Sequence, residues 1–166
     1  MLWKLSGIMR RFVLVLAIGL GLAGCAAKAS YIPGTRVDSS AENQALIDRV
    51  EDYRMAVERK DATALVLMAS KRYWEDAGTQ SGSDDYGYQG LQEILTGRFQ
   101  QVDAIRYSMK YMNVARRGDR AYVDVLIDAS FTVKDARGQE MRADMRDQNQ
   151  FVLEWDGKQW LFVSGM

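Results

Sequence analysis

The sequence predicts an α+β domain, three amino-terminal helices packed on an antiparallel sheet of about four strands. Apolar residues recur every three to four positions between residues 41 and 100, which is the helical period. They recur every second position after residue 104, which is the strand period. Gly-containing turns separate the alternating runs, so successive strands connect as hairpins and pair antiparallel.

Ahead of the domain, Lys4, Arg10 and Arg11 precede an uncharged run from Phe12 to Leu22 that ends in small residues. A basic start followed by an apolar stretch is the layout of a secretory signal. The run is shorter than the ~20 residues a spanning helix needs. Leu22-Ala23-Gly24-Cys25 resembles the bacterial lipobox, which implies cleavage between Gly24 and Cys25 and lipid on the Cys25 thiol. Ala26 follows where an Asp would imply inner-membrane retention, so the resemblance implies an outer-membrane lipoprotein whose domain faces the periplasm. Three units are expected: a signal peptide over 1–24, a lipidated tether over 25–40 containing the only Pro, and a domain over 41–166.

Leu46, Val50, Tyr53 and Val57 form one face of a helix over 41–59. Asp61 is placed to cap a second over 62–69, its carboxylate accepting from first-turn amides. Periodicity disappears between Ser70 and Gly87, a long loop carrying Tyr73, Trp74, Tyr86 and Tyr88 around Asp84-Asp85. It returns at Leu91, Ile94, Leu95 and Phe99. Strands follow at Ile105–Met112 and Val123–Val133, then at Glu140–Trp155 and Gln159–Ser164. Gly118-Asp119, Arg137-Gly138 and Asp156-Gly157 mark the turns between them.

Composition excludes several chemistries. Cys25 is the single cysteine and there is no histidine, so once Cys25 carries lipid no thiolate or imidazole remains for nucleophilic catalysis or a Cys/His zinc site. The acidic loop lacks the ligand ladder of an EF-hand. No metal and no cofactor is expected. Lys and Arg total 22, as do Asp and Glu. The signal holds three basic residues and no acidic one, which leaves the remainder mildly acidic and without bias toward nucleic acid.

Three helices, a long loop and a sheet ending in the Trp-rich hairpin EWDGKQWLFVSGM resemble the nuclear transport factor 2-like (NTF2-like), or SnoaL-like, superfamily over residues 41–166. The resemblance implies a curved sheet wrapped around the helices as a cone with a pocket at its open end. It also implies members that are isomerases, dehydratases or hydrolases and members that only bind or associate. If odd-numbered residues face the helices, Asp147 and Asn149 interrupt an apolar row that includes Met141, Met145, Phe151 and Trp155. Either both face a ligand, or a bulge at Asp147–Gln150 turns them into water.

Tyr53, Trp74, Tyr107, Asp147 and Asn149 are therefore the candidate pocket residues. Tyr53 and Tyr107 also fit plain core packing, and the loop aromatics fit a cover over the core's edge. No spacing matches a catalytic motif, so no catalytic residue is assigned. The leading expectation is a non-enzymatic domain, held on the membrane by its lipid, that binds a small apolar ligand or an envelope protein. Alternatives are a cofactor-independent isomerase or lyase using Asp147 with a tyrosine, and a structural envelope lipoprotein whose cone is plugged by Trp74, Phe99 and Trp155. On the outer sheet face Arg106 and Lys110, Asp124 and Asp128, and Arg142, Asp144 and Arg146 come from three successive strands, so opposite charges can face each other across strands. That fits a solvated surface, and the resemblance adds a charge-matched homodimer through the same face.

Overall fold

A computed structural model describes residues 30–76 and 79–166. Gly24, Cys25 and the whole signal lie outside the described residues. Helix α1 (Ala41–Glu58) is capped by Ser40, whose Oγ accepts from the Asn43 amide at 3.1 Å. It buries the expected stripe of Leu46, Val50, Tyr53 and Val57, with Ile47 and Ala56 beside it. The chain turns at Lys60, which has a φ of 56°, into α2 (Ala62–Met68). Asp61 caps this helix, its Oδ1 accepting from Ala64 N at 2.9 Å. Helix α3 (Tyr88–Gln100) starts three residues ahead of the first periodic Leu91 and buries Leu91 and Leu95.

Two short strands, β1 (Trp74–Glu75) and β2 (Tyr86–Gly87), pair antiparallel inside the segment expected to be a loop. The main sheet has four strands, β3 (Ala104–Arg117), β4 (Arg120–Lys134), β5 (Glu140–Trp155) and β6 (Trp160–Ser164), paired antiparallel in that order. Strict alternation in β4 buries Ala121, Val123, Val125, Ile127 and Ala129 under the helices. Opposite them the partner strands contribute Ile105, Tyr107, Tyr111, Phe151 and Leu153 to the same core.

Register explains what the alternation in β5 left open. The β4–β5 pairing runs unbroken from Lys134↔Glu140 to Arg120↔Glu154, so there is no bulge at Asp147–Gln150, and Asp147 and Asn149 stay on the inner face. The register breaks fall elsewhere, between Tyr111 and Asn113 on β3 and between Val152 and Leu153 on β5. Strand β6 reaches only from Val152 to Trp155. The first half of β5 therefore has a strand on one side alone among the described residues. Met141 and Met145, apolar and on the inner face, remain 53% and 38% exposed. Trp155 is also exposed, at 42%, and stacks on Trp160 at 5.5 Å instead of entering the core.

Part of the expected tether belongs to the folded body. Pro33-Gly34 turns the chain so that Tyr31 bridges Asp38 and Ile32 N donates to Val37 O at 2.9 Å. Ile32 and Val37, 5% and 3% exposed, enter the core. Burying two aliphatic side chains offsets the ordering of a short hairpin, roughly 1.5–3 kcal/mol each.

Candidate functional site

Helix α1 lies along β3, and a polar network fixes its height and rotation. Arg54 bonds Glu51 at 2.6 Å and Glu58 at 2.7 Å on the same helix. Glu58 Oε1 accepts the Tyr107 amide at 2.9 Å, and Glu51 Oε1 accepts the Tyr111 hydroxyl at 2.7 Å. Burial and the neighbouring Glu51 carboxylate both push the Tyr111 hydroxyl far above its ordinary pKa, so it stays a donor. The sequence showed Glu51, Arg54 and Glu58 at helix-neighbour spacing, but nothing in it pointed to strand partners about fifty residues away.

This network sets Tyr53 over the sheet. Its ring meets Phe151 at 4.9 Å and Phe162 at 5.5 Å, and Tyr107 edge-on at 6.3 Å. Burial, then the charge and hydrogen bonding of Tyr107, raise Tyr53 well above the ordinary phenol pKa. Tyr107 is pushed up to about 12, chiefly by burial, with the Tyr53 bond opposing and the Asp147 charge adding.

Across the sheet, Tyr107 is in register with Ala129 and Ala129 with Met145, while Asp147 is in register with Ile127. The small Ala129 lies between Tyr107 and β5, and Asp147 is diagonal to that row. Tyr53, Tyr107 and Asp147 thus converge on one stretch of the inner face. The carboxylate is exposed and accepts the Gln148 amide at 2.8 Å. Asn149 has a different task, since its Nδ2 donates to Gly165 O at 2.7 Å and ties β5 to the carboxy-terminal end.

Trp74 is not part of this group. It sits on β1, 56% exposed, beside a depression of about 830 Å³ shared with Lys71, Tyr86 and Tyr88, where Lys71 Nζ lies 3.7 Å from the Tyr88 ring centroid. Tyr73 and Tyr86 from the same segment are buried, as expected of aromatics covering the core's edge. The Tyr73 hydroxyl donates to Glu75 at 2.6 Å, and Glu75 also accepts the Gly165 amide at 2.7 Å. Of Trp74, Phe99 and Trp155, only Phe99 packs against the core, while Trp74 and Trp155 are exposed; Tyr53, Phe151 and Phe162 pack together within it.

Glu154, an even-numbered residue of β5, is nonetheless buried, at 6% exposure. The chain after α2 runs along the edge of β6, bridging Ala69 to Phe162, and Glu154 accepts from Ser70 Oγ and from Arg72. Burial pushes its carboxyl up, but those bonds outweigh it and hold the carboxyl below the ordinary range. Among the described residues no group of three His, Cys, Asp or Glu is arranged to hold a metal. No helix of the described residues is long and apolar enough to cross a membrane.

Tyr53, Phe151 and Phe162 form an apolar cluster under the sheet, with Tyr107 and the exposed Asp147 on the same face. No protein-family model matches the chain, and no curated protein sequence matches it. Solved structures do, and the fold is NTF2-like. A conserved protein from Planctomyces limnophilus DSM 3776 superposes with a TM-score of 0.64 over 75% of this chain and 92% of that one, at 13% identity. A ketosteroid isomerase-like protein from Erwinia carotovora atroseptica SCRI1043 gives 0.60 over 76% and 94%, at 20% identity. A candidate dehydratase of the NTF2-like family from Streptomyces avermitilis gives 0.58 over 74% and 92%, at 13% identity. At such identities the likeness is one of fold.

Proposed function

We propose that this chain is an outer-membrane lipoprotein, anchored through Cys25, whose NTF2-like domain faces the periplasm and binds a small apolar ligand without transforming it. The observation that carries the binding reading is the uncovered inner face of β5. Met141 and Met145 stand exposed there, beside Tyr107 and Asp147. Exposed methionines adapt to ligands of varied shape, and the Tyr107 hydroxyl and Asp147 carboxylate provide polar contacts at one end. The anchoring reading is supported by the basic start, the apolar run and the LAGC sequence.

Native mass spectrometry of the membrane-extracted protein tests the anchor. The expected mass is that of the chain from Cys25 onward plus lipid, with Cys25→Ser recovered unlipidated; an unlipidated native chain overturns it. N-phenylnaphthylamine fluorescence with the form lacking residues 1–24 and carrying Cys25→Ser tests the site. Binding is expected, weakened about tenfold by Met145→Asp, which sets a charge in the apolar row. Binding indifferent to Met145→Asp refutes the placement.

One observation favours a second reading. The Tyr107 hydroxyl, edge-on to Tyr53 and within reach of the Asp147 charge, is the pairing of phenol and carboxylate that a cofactor-independent isomerase or lyase could use to move a proton. Asp147→Asn separates the two readings, since a binding domain keeps its affinity for the neutral probe and an enzyme loses turnover of its substrate.

A further inference from the structure

Between Glu140 and Gln150, β5 is paired with β4 alone among the described residues, because β6 reaches no farther than Val152. The Trp155 amide donates toward β4, to Asp119 O at 2.8 Å, and the Asp156 amide donates toward the β6 side, to Gln159 O at 3.1 Å. Amide direction alternates along a strand. With the register unbroken, even-numbered residues of β5 therefore turn their backbone groups to the open edge. Their side chains on the outer face read Glu140, Arg142, Asp144, Arg146, alternating in sign. The next outward amide, Gln148, is already taken by Asp147, which ends the open ladder.

We infer that this edge pairs with the same edge of a second copy of the chain, antiparallel and centred on Ala143. Glu140 then faces the partner's Arg146, Arg142 faces the partner's Asp144, and Met141 faces the partner's Met145. Every charge in the row meets its opposite. Even residues meet even residues, so outward amides meet outward carbonyls and about eight backbone hydrogen bonds form. The two Ala143 residues make the non-hydrogen-bonded pair at the axis, where Cα atoms approach to about 4.5 Å and a small side chain fits.

Neighbouring registers fail. Centring on Arg142 or on Asp144 sets that residue against its own copy, like charge against like. Charges on an edge strand ordinarily keep other chains away. A row of one sign would do that, whereas this row, whose signs invert when it is reversed, is complementary to a second copy of itself. The Arg142–Asp144 pair within the strand is 69% and 66% exposed, and the Arg146–Asp128 pair across to β4 is 73% and 60% exposed, so exchanging the first and sharing the second with a partner's Glu140 costs little. Both inner faces end up on the same side of the joined sheet, and the partner's Met141 continues the row of Met145 beside Tyr107. The dimer lengthens the proposed ligand face, and its formation does not depend on a ligand.

The test uses the full chain extracted in nonionic detergent, with mass from light scattering. A dimer is expected at micromolar concentration. Ala143→Cys is expected to form a disulfide-linked dimer under mild oxidation, and the parent chain, whose one cysteine is Cys25, is expected to form none. Arg142→Asp is expected to weaken association about tenfold or more, and adding Asp144→Arg to restore it. Should Arg142→Asp lose its far-ultraviolet dichroism, Glu140→Arg, which sets like charges against Arg146, replaces it. A monomeric parent chain overturns the inference. So does a dimer that Ala143→Cys does not capture and that neither charge substitution weakens.

Discussion

Gly165 is where the carboxy-terminal end meets the rim of the candidate site, and Gly165→Ala measures how tightly the two are joined. The residue has a φ of +92°, and a Cβ placed there would lie 2.5 Å from Gln150 O and 3.2 Å from both Gln150 C and Phe151 Cα. All three are backbone atoms of β5, so no side-chain rotation relieves the contact. The left-handed backbone costs a non-glycine residue about 1–2 kcal/mol. Overpacking adds about 1–3 kcal/mol as the strand end moves away. The Asn149 and Glu75 bonds to Gly165 stretch as it does so. A loss of about 2–5 kcal/mol is expected, a large share of the 5–15 kcal/mol that holds a typical domain folded. Gly118 is the control, with a φ of +64° and open space around the missing Cβ, so Gly118→Ala bears the backbone cost alone. Urea unfolding of the form lacking residues 1–24, with Cys25→Ser, followed by tryptophan fluorescence at fixed protein concentration, gives both values. The reasoning fails if Gly165→Ala loses no more than Gly118→Ala.

Two further outcomes follow from single contacts. Asp61→Ala removes the cap of α2 and is expected to cost about 1 kcal/mol by the same unfolding measurement, with Asp61→Asn recovering most of it. Glu154 has a folded-state pKa below that of the unfolded chain, so its contribution is fully present above the ordinary carboxylate value of about 4.3 and is lost as pH falls through the lowered one. The stability difference between the parent and Glu154→Gln is expected to shrink as pH is taken below about 4; a difference that stays constant there shows that Glu154 carries no such linkage.

The period of the apolar residues made the architecture legible where burial is one-sided. In β4 every odd residue from Ala121 to Ala129 is covered, and the alternation is complete. It misled in β5, because alternation reports which face a residue takes and not whether anything covers that face. Met141 and Met145 sit on the inner side with no helix burying them. Glu154 reversed the rule for the opposite reason, since Ser70 and Arg72, far away in sequence, cover an outer-face position. Pro33-Gly34 was visible as a turn, but a hairpin anchored by only Ile32 and Val37 leaves too short a pattern to separate from a tether. Of the candidate pocket residues, Tyr53, Tyr107 and Asp147 converge because helix stripe and strand parity both predict facing. Asn149 shares that parity but is bonded to the chain end, and Trp74 belongs to a segment without any period.

If Cys25 carries the proposed lipid, the folded-back hairpin at Ser30 also sets how far the domain can travel from the membrane. Only four residues separate Ser30 from Cys25, so, with the proposed lipid on Cys25, the folded body begins no more than about 18 Å from the anchoring atom. Such a leash keeps the domain skimming the bilayer surface, unable to cross the periplasmic gap. Molecules confined to so thin a layer meet each other far more often than the same number dispersed in a volume. Pairing through the β5 edge would be favoured further there, and a ligand taken up by the β5 face would arrive from, or leave toward, the lipid beneath it.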